Sequence, residues 1–329
     1  MQHLSALGTQ VRSELSKVII GQKELVDQLL LVLVCGGHAV IEGVPGLAKT
    51  LAVKSLARIC GLQFQRVQCT ADLMPADVTG TNIFNLKDNS FGLHRGPVFT
   101  DLLLVDEINR TSPRTQAALL EAMEERQVTI DGTRYPLSEN FTVLATQNPI
   151  EFEGTYPLPE AQLDRFLLKI RVTYPSAEDE NEILGQYERG FDPRRLDEIA
   201  LSQIDAKVLA AARKEILSVR VEPALRSYII SLVRRTRDWP AISLGGSPRA
   251  AVGLFFAARA LAGMDGRDYL LPDDVKAAAL PVLRHRILLK PEADLEGLTT
   301  DQVITQVVAG VEVPNERAER PRMAASPPA

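Results

Sequence analysis

The sequence predicts an α/β fold, in which a parallel-sheet domain is followed by a smaller, all-helical one, and three features carry that prediction. The first is an apolar run, His38-Ala39-Val40-Ile41, that leads through Gly43-Val44-Pro45-Gly46-Leu47-Ala48-Lys49-Thr50 into the helix-forming stretch Leu51 to Ala57. The second is the apolar strand Leu102 to Val105, which ends in two carboxylates, Asp106 and Glu107. The third is a change of period at Pro175: short apolar strands alternate with helices before it, and helical spacing runs from Ala177 to about Val313 after it.

Strand, glycine-bearing turn and helix, in that order, form the context of a phosphate-binding loop. Glycines let the backbone curl so that successive N–H groups face phosphate oxygens, and the helix N-terminus adds its positive end. On this reading Gly43 to Leu51 cradle a nucleotide, Lys49 reaches the β and γ phosphates, and the Thr50 hydroxyl ligands Mg²⁺. Ala48 stands where the generic pattern has glycine, and a methyl group is accommodated there if the local φ is helical. Asp106 holds Mg²⁺ directly or through water, and Glu107 orients and deprotonates the attacking water. Ile19, Ile20 and Gln22, which precede the strand, are candidates for an adenine pocket; the alternative is that the two isoleucines are plain core.

A chain of 329 residues accommodates a nucleotide domain and a smaller one. Its net charge of -5 gives no bulk positive field of the kind that advertises nucleic-acid binding. Cys35, Cys60 and Cys69 are odd in number and lack metal-site spacing, so they read as free thiols in a reducing compartment. Leu29 to Cys35 is apolar but too short to span a bilayer, and no basic-then-apolar export signal opens the chain. The expectation is a cytoplasmic protein without membrane insertion.

Taken in order, residues 2–18 place Leu4, Leu7, Val11, Leu15 and Val18 on one side of a helix. Gly21-Gln22 breaks it, and a second helix runs from Lys23 to about Val34. Gln63 to Cys69 reads as the next strand. Residues 72–97 are punctuated by Gly80, Asn82, Asn85, Asp88, Asn89, Gly92 and Gly96, which suggests an exposed insertion with little regular structure. Phe84, Phe91, Leu93 and His94 then form a contact surface or fold back onto the body.

Ser112-Pro113 opens a helix through about Glu125, with Ala118, Leu119, Ala122 and Met123 as its buried side and Glu121, Glu124 and Glu125 facing solvent. Val128 to Ile130, Asp131-Gly132, then Tyr135 and Leu137 read as a hairpin with a tight turn. The strand Phe141 to Thr146 ends in Gln147-Asn148-Pro149 and brings the Asn148 amide to the sheet edge that carries Asp106. From there it can bond the γ-phosphate or the lytic water. A glycine-bearing loop (Glu153-Gly154-Thr155), a short helix from Leu158 to Asp164 and the strand Leu167 to Val172 follow. Arg165 by itself reads as a surface arginine. Beyond the Tyr174-Pro175-Ser176 linker, helices fall near 177–189, 203–216, 222–236, 247–263 and 272–284. Arg249 lies in the first turn of a helix capped by Ser247, against the helix dipole, which points to an anion partner or to a plain solvated arginine. The domains are thus 1–174 and 176–317, with a Pro-, Ala- and Arg-rich tail at 318–329 expected to be disordered.

Together these pieces closely resemble the MoxR family of AAA+ ATPases. The likeness runs through Ile20-Gly21-Gln22, Gly43 to Thr50, Gly96-Pro97-Val98-Phe99, Asp106 to Arg110 and Gln116 to Val128. The most distinctive parts are Ala145 to Pro149, Glu153 to Phe166 and Gly246-Ser247-Pro248-Arg249. Ala48 is common in that family. The resemblance implies that Gly43 to Thr50 is the Walker A loop, Asp106-Glu107 the Walker B pair, Asn148 sensor 1, Arg249 sensor 2 and Arg165 an arginine finger that enters a neighbouring subunit's site. Arg110 sits in a family-typical segment, with an interface role as one option. Residues 80–95 correspond to the helix-2 insertion of this clade and 127–138 to the hairpin before sensor 1. The family further implies ATP and Mg²⁺ as cofactors and a homo-oligomeric ring, usually a hexamer. Its partners carry von Willebrand factor A domains, and its action on client protein complexes is chaperone-like, including metal insertion into some enzymes.

The resemblance then implies in-line attack by a water activated at Glu107, with Lys49, Arg165, Arg249 and Mg²⁺ neutralising charge on the phosphoryl oxygens. An arginine finger needs a second subunit, which a heterologous ring interface supplies at every site. The expected stroke is a movement of the helical domain against the sheet as Arg249 gains or loses the γ-phosphate. Three other readings use the same cleft. A nucleic-acid motor needs a basic or aromatic track, but the hairpin carries Arg126 and Arg134 together with Asp131. A chelatase-like ATPase subunit shares the insertions and needs a porphyrin-binding partner. A nucleotide-gated structural protein could dispense with the base that Glu107 supplies.

Overall fold

The computed structural model describes residues 1–87, 89–149 and 154–314. The chain opens with two helices, α1 (Gln2–Leu15) and α2 (Lys23–Cys35), followed by strand β1 (Ala39–Glu42), helix α3 (Lys49–Ile59) and strand β2 (Phe64–Gln68). A short helix α4 (Pro75–Thr79) leads into β3 (Gly80–Asn85) and β4 (Ser90–Arg95). Then come β5 (Leu102–Asp106), α5 (Pro113–Glu125), β6 (Gln127–Ile130), β7 (Thr133–Pro136), β8 (Thr142–Gln147), α6 (Glu160–Leu163) and β9 (Leu168–Arg171). The C-terminal part holds α7 (Ala177–Glu188), α8 (Ala206–Ile216), α9 (Pro223–Arg237), β10 (Ile242–Leu244), α10 (Pro248–Met264), α11 (Pro272–Leu283), β11 (Leu288–Leu289), α12 (Pro291–Leu295) and α13 (Thr300–Ala309).

The five-stranded sheet is parallel, in the order β2-β5-β8-β1-β9. Its three central strands, β5, β8 and β1, are near-continuous apolar runs because both faces are covered. The two-residue period of the strand divides those runs between two cores. Ala39, Ile41, Leu102, Leu104 and Leu144 face one core, while Val40, Leu103, Val105, Val143 and Ala145 face the other. Cutting Leu104, which is fully buried, back to alanine costs about 2–5 kcal/mol.

The first core is shared. It contains α1, α2 and α3 together with residues of α8, α9, α10, α11 and α13. Glu215 on α8 accepts the backbone N–H groups of His3 and Leu4, at 3.2 and 2.9 Å, and so satisfies two orphan donors at the start of α1. The N-terminal helices and the C-terminal helical domain therefore pack as one body against the sheet. That domain also holds the antiparallel β10–β11 ribbon and two helices, α12 and α13, beyond the five expected from spacing.

Residues 72–97, expected to have little regular structure, hold α4 and an antiparallel hairpin over 80–95, Gly80 pairing with Arg95 and Asn85 with Ser90. The base of the hairpin explains the glycines: a Cβ on Gly80 (φ 95) would lie 2.3 Å from the His94 carbonyl oxygen. The hairpin buries little, so its strands show no alternation to read. Ile83, Phe84, Leu86 and Phe91 are exposed, and Phe84 and Phe91 pair across the strands with ring centroids 5.1 Å apart. Asp88, Glu153 and the tail 318–329 lie outside the described residues. The second hairpin, β6–β7, turns at Asp131 and Gly132, both at positive φ, as an Asp-Gly turn requires. Cys60 and Cys69 are buried, Cys35 is half-buried, and all three are free thiols. Among the described residues no helix is long and apolar enough to cross a membrane.

Candidate active site

Sheet order assembles the site. β5, β8 and β1 are neighbours, and their C-terminal ends deliver Asp106-Glu107, Thr146 to Asn148 and the glycine-bearing loop side by side, where open parallel sheets place their ligands. The resulting cleft, of about 390 Å³, is lined by Pro45 to Leu51, Asp106, Glu107, Thr146 and Asn148, with Tyr187 and Pro193 closing one side.

In the loop, Gly46 takes φ 88, and Ala48 follows in the left-handed region at φ 55, ψ 17. The right-handed helical φ that accommodates a methyl group without strain is therefore not the conformation found. Ala48 occupies a glycine conformation at a cost of about 1–2 kcal/mol. Lys49 is the first residue of α3, and its Nζ donates to the Gly43 carbonyl and, at 3.3 Å, to that of Val44. Partial burial lowers the Lys49 pKa, opposed by the charges of Asp106 and Glu107. The ammonium is thus held by loop carbonyls, within the field of the Asp106 and Glu107 carboxylates.

The carboxylate pair is tightly furnished. Thr146 Oγ1 donates to Asp106 Oδ1 at 2.5 Å and accepts the Glu107 N–H at 2.9 Å. Arg66 Nη2 and Nε donate to Asp106 Oδ2 at 2.6 and 3.2 Å. Gln68 Nε2 donates to Glu107 Oε2 at 3.0 Å, and Arg110 Nε lies 3.0 Å from the same oxygen. Arg66 and Gln68 come from β2, whose register sets Gln68 opposite Asp106. Glu107 itself adopts φ 59, ψ 50, an uncommon conformation for a side chain other than glycine and one that turns its carboxylate away from the strand direction. Cys69, just beyond β2, is pushed up to about 12 by burial and by Asp106 and Glu107, so it stays a neutral thiol.

The donors available to Mg²⁺, the Thr50 hydroxyl and the Asp106 carboxylate, are hard oxygens, which suit that ion when phosphate oxygens complete its shell. Among the described residues no cluster of three or more His, Cys, Asp or Glu that could hold a metal ion is found.

Three expected contributors, Ile19, Ile20 and Gln22, do not line the cleft. Ile19 is core. Ile20 is half-buried and Gln22 donates to the Thr173 carbonyl at 2.9 Å; neither lines the cleft, whose far side is built by Tyr187 and Pro193 instead. Gln22 borders a separate hollow with Arg12, Lys23 and Asp27.

Arg165 and Arg249 stand together on another face. Arg165 Nη2 lies 3.1 Å from Glu124 Oε2, and Arg249 Nη2 donates to Glu124 Oε1. The anion that the first-turn position of Arg249 calls for is this carboxylate. Behind the pair, Asp164 accepts from Ser247 Oγ at 2.9 Å and from Arg286 Nε at 2.8 Å. Arg286 also donates to the carbonyls of Phe166 at 2.5 Å and Leu167 at 3.0 Å. The helical domain thereby grips the backbone on both sides of Arg165.

Arg66, Gln68, Thr146, Tyr187, Pro193 and Glu124 are contributors that sequence reasoning did not single out. Arg66 and Gln68 become visible only once β2 is known to neighbour β5.

Comparison with known proteins agrees with this geometry. Residues 38–168 match the family model described as "ATPase family associated with various cellular activities (AAA)", and residues 234–307 match the AAA lid domain. The chain is 43% identical over 316 residues to Chaperone MoxR1 of Mycobacterium tuberculosis, covering 93% of this chain and 82% of that one. It is 42% identical over 304 residues to the uncharacterized protein YeaC of Bacillus subtilis, covering 92% and 94% respectively. A crystal structure of a proposed ATPase from Cytophaga hutchinsonii superposes with a TM-score of 0.86 at 42% identity, over 95% of this chain and 97% of that one. A parallel nucleotide-binding sheet, a helical lid and near full-length likeness to MoxR proteins lead to one conclusion: the chain belongs to the AAA+ ATPases and is MoxR-like.

Proposed function

We propose that this protein hydrolyses ATP at sites shared between neighbouring subunits of a homo-oligomeric ring, a hexamer by resemblance, and uses the cycle to remodel or activate a protein client. One observation carries the reading: Arg165 and Arg249 converge on Glu124, away from the loop and the Walker B pair of their own chain. Two cations suited to a phosphoryl group are thus presented outward, and a cleft with a lysine, a base and an amide lacks them. A heterologous contact that repeats around a ring joins the two at every interface.

In the proposed reaction Gly43 to Leu51 hold the phosphates by backbone N–H groups and by Lys49. Thr50 and Asp106 would hold Mg²⁺, which would neutralise charge on the phosphate. Glu107, steered by Gln68, Arg110 and its left-handed backbone, takes a proton from the water that attacks the γ-phosphorus. Asn148 fixes that water or a γ-oxygen. The neighbour's Arg165 and Arg249 stabilise the charge that spreads over the transferring group, and an arginine in that role contributes about 10³–10⁵ in kcat. The stroke is then a movement of one subunit's lid relative to the next subunit's loop.

A protein client fits the exposed apolar tip of the first hairpin, with Ile83, Phe84, Leu86 and Phe91 at the surface. It fits also the relative named a chaperone. A partner carrying a von Willebrand factor A domain and a cytoplasmic setting are the further content of the MoxR resemblance.

The test is ATPase rate against protein concentration, with mass followed by light scattering, for the native protein, Glu107→Gln and Arg165→Ala. Activity that rises as a ring forms, with both variants inactive and Glu107→Gln still binding ATP, supports the shared site. A flat specific activity from a monomer, with Arg165→Ala unaffected, overturns it.

A further inference from the structure

Glu124 lies within ion-pair distance of two guanidiniums that come from different domains, as Asp301 does with Arg171 and Arg284. Arg165 Nη2 is 3.1 Å from one of its oxygens and Arg249 Nη2 donates to the other. Among the described residues it is the only acidic partner of either arginine. Two guanidiniums drawn to one carboxylate repel each other, and the anion between them offsets that repulsion.

We infer that Glu124 is the positioning residue for the paired arginines, holding them at the spacing of two oxygens on one centre before a neighbour's γ-phosphate takes its place. The inference rests on the shared-site reading proposed above. Carboxylate and phosphate present oxygens that guanidiniums bind in the same way, so a carboxylate is a fair template for the later ligand. Each guanidinium carries five N–H donors and gives one terminal nitrogen to Glu124, so the pair can accept a second anion without first letting go of the first.

The surroundings make the template rigid. Glu124 sits near the end of α5, whose start is capped by Ser112 and whose Leu119, Leu120, Ala122 and Met123 are buried. Arg165 is fixed from behind through Asp164, which bonds Ser247, the cap of the helix that bears Arg249. Only the long, rotamer-rich arginine side chains remain to be ordered. All three side chains are a third to a half exposed, so as a contribution to stability the cluster is worth little. Its value is geometric, in a reaction where a 1 Å misplacement costs about 10²-fold.

The experiment uses full-length Glu124→Gln, alone and mixed with other variants, followed by ATPase rate, light scattering and urea unfolding. The expected result is a kcat lowered about 10- to 100-fold, with KM for ATP, ring assembly and unfolding midpoint close to native. Mixed with Lys49→Ala, which brings intact arginines, Glu124→Gln recovers activity; mixed with Arg165→Ala, which is defective on the same face, it does not. A native kcat for Glu124→Gln overturns the inference, as does a defect that Lys49→Ala subunits fail to restore. Lys49→Ala mixed with Arg165→Ala is the separate check on the reading beneath it. Recovery there keeps the shared site whatever Glu124 does, and no recovery removes the shared site and the role of Glu124 with it.

Discussion

Asp164 accepts a hydrogen bond from Ser247 Oγ at 2.9 Å, which joins the residue before Arg165 to the cap of the helix that carries Arg249. The same carboxylate neutralises Arg286, whose side chain is only 4% exposed. Because breaking one side of a buried ion pair strands the other, Asp164→Asn should cost about 3 kcal/mol of stability. It should also lower kcat, since the anchor behind both arginines loosens while the loop and the Walker B pair are untouched. Urea unfolding and steady-state kinetics on the same preparation check both halves. A stability loss with native kcat would separate the lid anchor from catalysis.

Arg66 and a metal ion compete for one carboxylate. Arg66 gives Asp106 Oδ2 two nitrogens, at 2.6 and 3.2 Å, while Asp106 is the acidic ligand proposed for Mg²⁺. A half-exposed ion pair of this kind is worth up to about 1 kcal/mol, which is about 5-fold in an equilibrium constant. Arg66→Ala should therefore lower the half-saturating Mg²⁺ concentration for ATPase about 2- to 5-fold. A magnesium titration at fixed ATP reads this directly, and an unchanged or higher value would assign Arg66 to holding Asp106 in place.

What was legible in the sequence is what local chemistry encodes. The loop, the carboxylates on an apolar strand and the Ser-Pro helix starts at Ser112 and Ser247 each announce themselves within a dozen residues. The buried strands could be read because both faces of the sheet are covered, leaving continuous apolar runs. The hairpin at 80–95 could not, because strands that bury neither face carry no alternation. Nor could the partners of the site. Arg66 reaches Asp106 through the β2–β5 pairing, and Glu124 meets Arg249 across two domains. Both contacts depend on sheet order and lid placement, which no window of sequence contains. Ile20 and Gln22 show the converse: proximity in sequence to the loop did not bring them to the cleft.

Ala48 offers a test of backbone strain. At φ 55, ψ 17 it holds a conformation that costs an L-residue about 1–2 kcal/mol. Replacing it with glycine removes that cost and adds back about 0.4–1 kcal/mol of unfolded-state entropy. Ala48→Gly should then raise stability by up to about 1.5 kcal/mol, with ATP hydrolysis retained because the loop keeps its shape. Urea unfolding of the variant measures the difference. A loss of stability would mean that the methyl group makes contacts worth more than the strain.

His38 sets the acid limit of the fold. It is fully desolvated at the foot of β1, with Nε2–H directed to the Met123 carbonyl at 3.2 Å and Nδ1 accepting the Val143 N–H at 2.9 Å. That arrangement needs the neutral ring, and burial lowers its pKa to about 4 from an ordinary 6.5. Above pH 6.5 the ring is neutral in both folded and unfolded chains, and its bonds contribute in full. As pH falls from 6.5 towards about 4, the unfolded chain takes up a proton that the folded one refuses, so stability declines through that window. The span corresponds to a loss on the order of 3 kcal/mol. His285, buried against the Phe166 carbonyl and lowered by burial and by Arg286, adds to the loss in the same direction. Unfolding free energies at pH 7.5, 6, 5 and 4.5 (roughly spanning the titration) for the native protein and His38→Gln test this. The variant should start less stable and lose less on acidification. Parallel curves for the two proteins would show that His38 does not titrate with unfolding and that other groups set the acid limit.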